Sequence, residues 1–208
     1  KTAIESLEKA YRLGPENPRL GYVYGVALEN VGQRERAIEV WDAVVERHPN
    51  DQAALHVLTM TLYQAGEYER ALALNSNDAD FLAQMADALT FMGRPEQAIA
   101  QLKKAMRMNP RHPSWYWHVL GFAYYEVGQY KEALAALKYG NKPSFFDHRN
   151  LAAVYVRLGR LEEARTEVSK LLAKNPHFTL KSVNHLPYKD ENRHMRFIHD
   201  LRKAGVPE

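Results

Sequence analysis

Nine histidines, six serines and a few adjacent carboxylates are the side chains of this 208-residue chain with chemical potential. Their spacing builds no site. A zinc hydrolase motif needs two histidines four apart on a helix with a carboxylate beside them, and no pair here has that arrangement. His194 and His199 stand five apart and diverge on a helix. Ser6, Ser76, Ser114, Ser144, Ser169 and Ser182 lack the G-x-S-x-G turn that exposes a nucleophile between strand and helix. The nearest approach to a phosphate cradle, Tyr139-Gly140-Asn141-Lys142, has one glycine and no strand before it. Glu162-Glu163 and Asp190-Glu191 fall near expected helix starts, where the helix dipole favours acids. With no cysteine there is neither a disulfide nor a thiolate metal site. The expectation is a chain without catalytic, metal or cofactor residues, and not an enzyme.

The elements that would position any site are set by an internal repeat. Gly32, Gly66, Gly93, Gly128 and Gly159 each precede an alanine by five residues, at Ala37, Ala71, Ala98, Ala133 and Ala164. The glycine intervals are 34, 27, 35 and 31 residues, so the unit is close to 34 and one interval is seven short. In the clearest copy, Pro18 to Asp51, small residues at Gly25 and Ala37 let two helices approach, with Leu28 and Trp41 filling the space beside them. Gly32 ends the first helix and Pro49 stops the second. The register returns in Leu58, Leu62, Gly66 and Ala71, then in Met85, Ala86, Leu89, Gly93, Ala98, Leu102, Ala105 and Pro110. A fourth copy carries Trp117, Leu120, Gly121, Tyr124, Gly128 and Ala133, and a fifth Leu151, Ala152, Tyr155, Gly159, Ala164, Val168, Leu171 and Pro176.

This helix-turn-helix unit resembles the tetratricopeptide repeat over residues 1–176. The resemblance implies an all-α, right-handed superhelical solenoid of about twelve helices, serving as a protein-binding scaffold. Ala3, Leu7, Ala10 and Pro15 fit a second helix without its first, so Lys1 reads as a boundary and not a natural start. Between Leu74 and Ala79 only four residues stand where eleven are expected. Either a true deletion kinks the array, or a stretch is absent from this chain; intact register on both sides favours the second. Near Gly140-Asn141-Lys142-Pro143-Ser144 a Gly-Asn breaker ends a second helix early.

Residues 177–208 leave the repeat as a capping segment. Thr179 to Leu186 can form a short helix before Pro187. Asp190 can cap another, with Met195, Ile198 and Leu201 at helical spacing and Gly205 and Pro207 at its end. Such a helix seals the last repeat of a solenoid, or else binds a partner. The stretches FFDHRNLAAVYVRLGRLEEAR, LLAKNPHFTL and HLPYKDENRHMRFIHDLRKAGVPE, with WYWHVLGFAYYEVGQYKEALAAL, resemble the carboxy-terminal repeat region of bacterial class III nucleotidyl cyclases and winged-helix regulators, over residues 77–208. That implies a regulatory oligomerisation module as the alternative function, with a possible homo-oligomer.

In the tetratricopeptide family the first helices line a concave face. The resemblance assigns to that face Tyr22, His56, Tyr63, Phe91, Trp115, His118, Phe122, Tyr125, Arg149 and Arg157 as partner-binding residues. Aromatic groups there offer contact area at low entropy cost, and the two arginines can orient an acidic group of a protein or peptide partner. The lysine-asparagine clamp of chaperone-binding members is represented by no more than Arg149 and Asn150, which disfavours a chaperone adaptor. The formal net charge is +3, with basic residues scattered singly or in pairs, so no nucleic-acid partner is expected. No apolar run approaches eighteen residues, so no membrane span is expected. The compartment is not encoded in these features, and a cytoplasmic place is favoured.

Overall fold

The computed structural model describes residues 3–139 and 143–208. Twelve α-helices and one 3-10 turn account for the regular structure, and no strand occurs among the described residues. The chain divides into two compact units, Lys1–Asn77 and Asp78–Glu208.

The first unit holds α1 (Ala3–Leu13), α2 (Pro18–Asn30), α3 (Arg34–Arg47), α4 (Gln52–Ala65) and α5 (Tyr68–Leu74). Helices α2 and α3 pair, as do α4 and α5, while α1 packs on α2 as the expected second helix lacking a first. The second unit holds α6 (Ala79–Phe91) with α7 (Pro95–Met108), α8 (Trp115–Glu126) with α9 (Tyr130–Lys138), and α10 (Phe145–Arg157) with α11 (Leu161–Lys174). A 3-10 turn at Leu180–Val183 and α12 (Glu191–Ala204) complete it. All-helical pairs in series are the architecture the repeat predicted.

One turn is used five times. Each repeat glycine has a φ between 75° and 83°, the left-handed region that a side chain disfavours. The residue after it donates back across the helix end: Gln33 to Leu28, Glu67 to Leu62, Arg94 to Leu89, Gln129 to Tyr124 and Arg160 to Tyr155, each at 2.9 Å. This is the six-to-one bond that satisfies a helix's last carbonyls. The alanine five residues on is fully buried in every copy. Close approach within a pair has the predicted cause: a Cβ on Gly121 would lie 2.5 Å from Leu137 Cγ, and one on Gly25 would overlap the Trp41 indole.

At the short interval the chain runs from Leu74 through a turn at residues 75–77 to Asp78, whose side chain caps α6 by accepting from Phe81 N at 3.0 Å. The unit is thus built with a seven-residue second helix. Helix α9 also stops early, at Lys138; the Gly140-Asn141-Lys142 breaker lies outside the described residues. In the terminal segment the regular turn covers only Leu180–Val183, not the whole of residues 179–186. Asp190 caps α12 as expected, accepting from Asn192 N at 2.9 Å. Its apolar face is corrected, however. Met195 is 52% exposed, and the large buried anchor is Phe197, beside Ile198, Leu201 and Ala204.

Gly25→Val should overpack the α2–α3 contact and lower stability by roughly 1–3 kcal/mol. Urea unfolding followed by circular dichroism measures it. An unshifted midpoint would contradict the close approach.

Candidate functional site

In the second unit, the first helices α6, α8 and α10 present the aromatic and charged residues that the sequence singles out, and the chain's own residues 186–204 lie across them. Phe122 and Tyr125 of α8 are almost completely buried. Phe197 of α12 meets both rings edge-on at 5.6 Å, and Tyr188 meets Phe91 edge-on at 5.1 Å. Lys189 N donates to the Phe91 carbonyl at 2.9 Å, at the end of α6.

Two buried acids lock this contact, one from each side. Glu126 ends α8 with its side chain wholly shielded from solvent; it pairs with Arg196 Nη2 at 2.5 Å and Arg193 Nη1 at 3.4 Å, and accepts from Tyr188 Oη at 2.8 Å. Arg193 also donates to the Glu126 backbone carbonyl at 2.9 Å. The two guanidiniums thus complete the carbonyl end of α8, where the helix dipole favours cations. In return Asp200 of α12 receives Arg157 Nε at 2.5 Å and Tyr125 Oη at 2.6 Å. Burial pushes the Glu126 carboxyl above its ordinary value, with Arg196, Tyr188 and Arg193 pulling it back. Burial and the Asp200 charge push the Tyr125 phenol far up.

The predicted residues therefore fall into three groups. Phe91, Phe122, Tyr125 and Arg149 come together, but beneath the terminal segment and not on an open groove, with Arg157 at its solvent-exposed edge. The acidic group that Arg157 was expected to orient is the chain's own Asp200. Arg149 is buried between the rings of Phe146 and Phe197, its Nε donating to Asn150 Oδ1 at 3.2 Å. Burial lowers its pKa to about 10, with the Asp87 carboxylate pulling it back up.

Trp115 and His118 form the second group, lining a hollow of about 200 Å³ with Trp117, Phe146 and Asp147. His118 Nδ1 lies 3.0 Å from Asp147 Oδ1, and a carboxylate only accepts, so Nδ1 carries the proton. Asp147 Oδ2 also accepts from Ser144 N at 2.6 Å in the capping box of α10. Burial works against this carboxylate, but the bonds from His118 and Ser144 outweigh it and hold its pKa below the usual 3.8. The third group, Tyr22, His56 and Tyr63, belongs to the first unit. There His56 is exposed and both tyrosines are half-buried.

Glu126, Tyr188, Phe197 and Asp200 were not singled out as site residues. Their signal was the spacing of Arg193, Arg196 and Asp200, which repeats at three and four residues and puts charge on one side of α12. Among the described residues no group of three His, Asp or Glu is placed to hold a metal ion, and no helix is long and apolar enough to cross a membrane.

Family patterns match along the chain: tetratricopeptide repeat at residues 1–61 and 148–168, and anaphase-promoting complex, cyclosome, subunit 3 at residues 68–140. A TPR repeat-containing protein of Methanocaldococcus jannaschii is 24% identical over 176 residues, covering 82% of this chain and 27% of that protein. The chain thus spans about a quarter of the length of that curated relative. Among solved structures, YrrB, described as a TPR protein with an unusual peptide-binding site, aligns with a TM-score of 0.64 at 18% identity, over 96% of this chain and all of that one. MamA aligns at 0.62 and 20% identity, over 81% of this chain and 96% of that one. A tetratricopeptide repeat protein from Parabacteroides merdae aligns at 0.63 and 16% identity, over 97% and 91%. Tetratricopeptide repeats are recognised in this chain, and the fold is that of their solenoids. The likeness of residues 77–208 to cyclase and winged-helix regulators is not among what these matches show.

Because the folded pKa of Asp147 is lowered, its contribution is present above the ordinary 3.8 and is lost as pH falls through the folded value. Asp147→Asn should cost roughly 1 kcal/mol at neutral pH. Urea unfolding at pH 7 and pH 3 should show the difference from wild type shrinking at the lower pH. A pH-independent difference would remove the charge from the explanation.

Proposed function

We propose that this tetratricopeptide-repeat chain is a non-catalytic protein-interaction scaffold that holds a peptide or helix of a partner on its first-helix faces. One observation carries the reading: the face made by α8 and α10 already holds a helix, α12, through an aromatic floor and crossed acid-arginine pairs. A surface that seats one amphipathic helix has the chemistry to seat another. The fold shared with YrrB supports the class of function and does not single out a groove.

In this reading two places remain for a partner. One is the solvent-accessible first-helix face of the first unit, with Tyr22, His56 and Tyr63. The other is the Trp115–His118–Phe146 hollow, where Phe146 is 52% exposed. Rigid rings flanked by polar groups are the usual anchors of such contacts.

Peptides selected from a random display library on the wild-type chain provide the probe. Trp115→Ala or Tyr63→Ala should weaken a selected peptide at least tenfold, in fluorescence anisotropy, with helicity retained. Phe122→Ala should instead cost about 3–5 kcal/mol of stability, since that ring is core. Unchanged binding in both surface variants would refute this placement of the partner.

A further inference from the structure

We infer that the face of α8 and α10 is built for a helix carrying two basic residues one turn apart, an aromatic residue beside the second and a carboxylate one turn beyond, and that α12 occupies it in place of such a partner. The inference rests on the scaffold reading and names the partner's chemistry. It begins with Glu126. A wholly shielded carboxylate at the end of α8 requires cationic donors from whatever lies across it, because a buried unpaired charge is strongly disfavoured. At the other end of the face, Arg157, partly in solvent, offers a guanidinium to an acid. Between them the rings of Phe122 and Tyr125 require an apolar group. These demands run in one order along an occupant: cation, cation, ring, acid. Arg193, Arg196, Phe197 and Asp200 meet them in that order along a single side of α12.

The contact is also suited to exchange. Arg193, Arg196 and Arg157 keep 24%, 28% and 30% of their side-chain surface in solvent, so water can begin to replace each pair from outside. Arg196 Nε is buried without a hydrogen-bond partner, an unmet donor that a better-matched helix would satisfy. Helix α12 is tied to α11 by residues 175–190, whose regular structure is the single turn Leu180–Val183. Charge complementarity at three places along the face favours a separate partner helix as the displacing occupant.

The probe is a fluorescein-labelled synthetic peptide of residues 186–206, added to the full chain and to the full chain carrying Arg193→Ala and Arg196→Ala. The weakened chain should bind the peptide at least tenfold more tightly than wild type. Asp200→Ala in the peptide, or Glu126→Gln added to the chain, should abolish that gain. Hydrogen exchange on both chains reports whether α12 opens alone. If its amides lose protection only together with those of α10, α12 is a fixed cap and the inference is overturned, while the scaffold reading stands on its surface anchors. If α12 opens alone and the peptide still fails to bind, it is the reading of this face as a binding surface that fails. Concentration-dependent dimers of the weakened chain, with no peptide uptake, would replace the partner helix by the α12 of a second copy and overturn the inference.

Discussion

Everything distinctive about the second unit depends on two buried carboxylates that exchange partners across one contact. Glu126 comes from the repeat array and Asp200 from the terminal helix, and each is satisfied by arginine and tyrosine from the other side. Neither acid is tolerable in the interior without that exchange, since the desolvation of an unpaired carboxylate outweighs the gain from packing a few neighbouring rings. The pairing fixes which side of α12 faces inward, which in turn buries Phe197 and leaves Met195 in solvent. An aromatic surface that an isolated array would leave open is closed by the same event.

The array that presents this surface rests on a different constraint, a glycine in the left-handed region at the turn within each of the five helix pairs. That conformation brings the next amide to the carbonyl five residues back, so all five turns share one geometry and the first helices come into line on one side of each unit. Alanines and the glycines within the first helices then set how closely the pairs approach. Regular turns account for why residues on successive first helices, such as Phe91, Phe122 and Arg149, share a face although they are distant in sequence.

Most of the fold was legible because its determinants are local and periodic. Gly25, Gly32 and Ala37 act within one unit, and the same spacing recurs, so the helix pairs and the unpaired α1 follow from register. The seven-residue α5 does not, because intact register on both sides of it points to an absent stretch instead of a short helix. Asp190 was legible as a cap for the same reason. The candidate site was legible in part. The register puts Phe91, Phe122, Tyr125, Arg149 and Arg157 on first helices, but it carries no information about what covers them. Contacts between Glu126 and residues 188–196, or Tyr125 and Asp200, span more than sixty residues, and no local rule connects them. Met195 misled because its apolar character fits the helical spacing, whereas the buried side is set by charges that must find partners.

The account stands on the coupling of the array to its terminal helix through these acids, and a double-mutant cycle between Glu126 and Arg196 measures it most directly. Stabilities of the wild type, Glu126→Gln, Arg196→Gln and the double variant are obtained from urea unfolding. A buried, charge-assisted pair predicts a coupling energy of about 1 kcal/mol or more. Effects that add to within about 0.5 kcal/mol would show that the two groups do not act together, and would contradict the account.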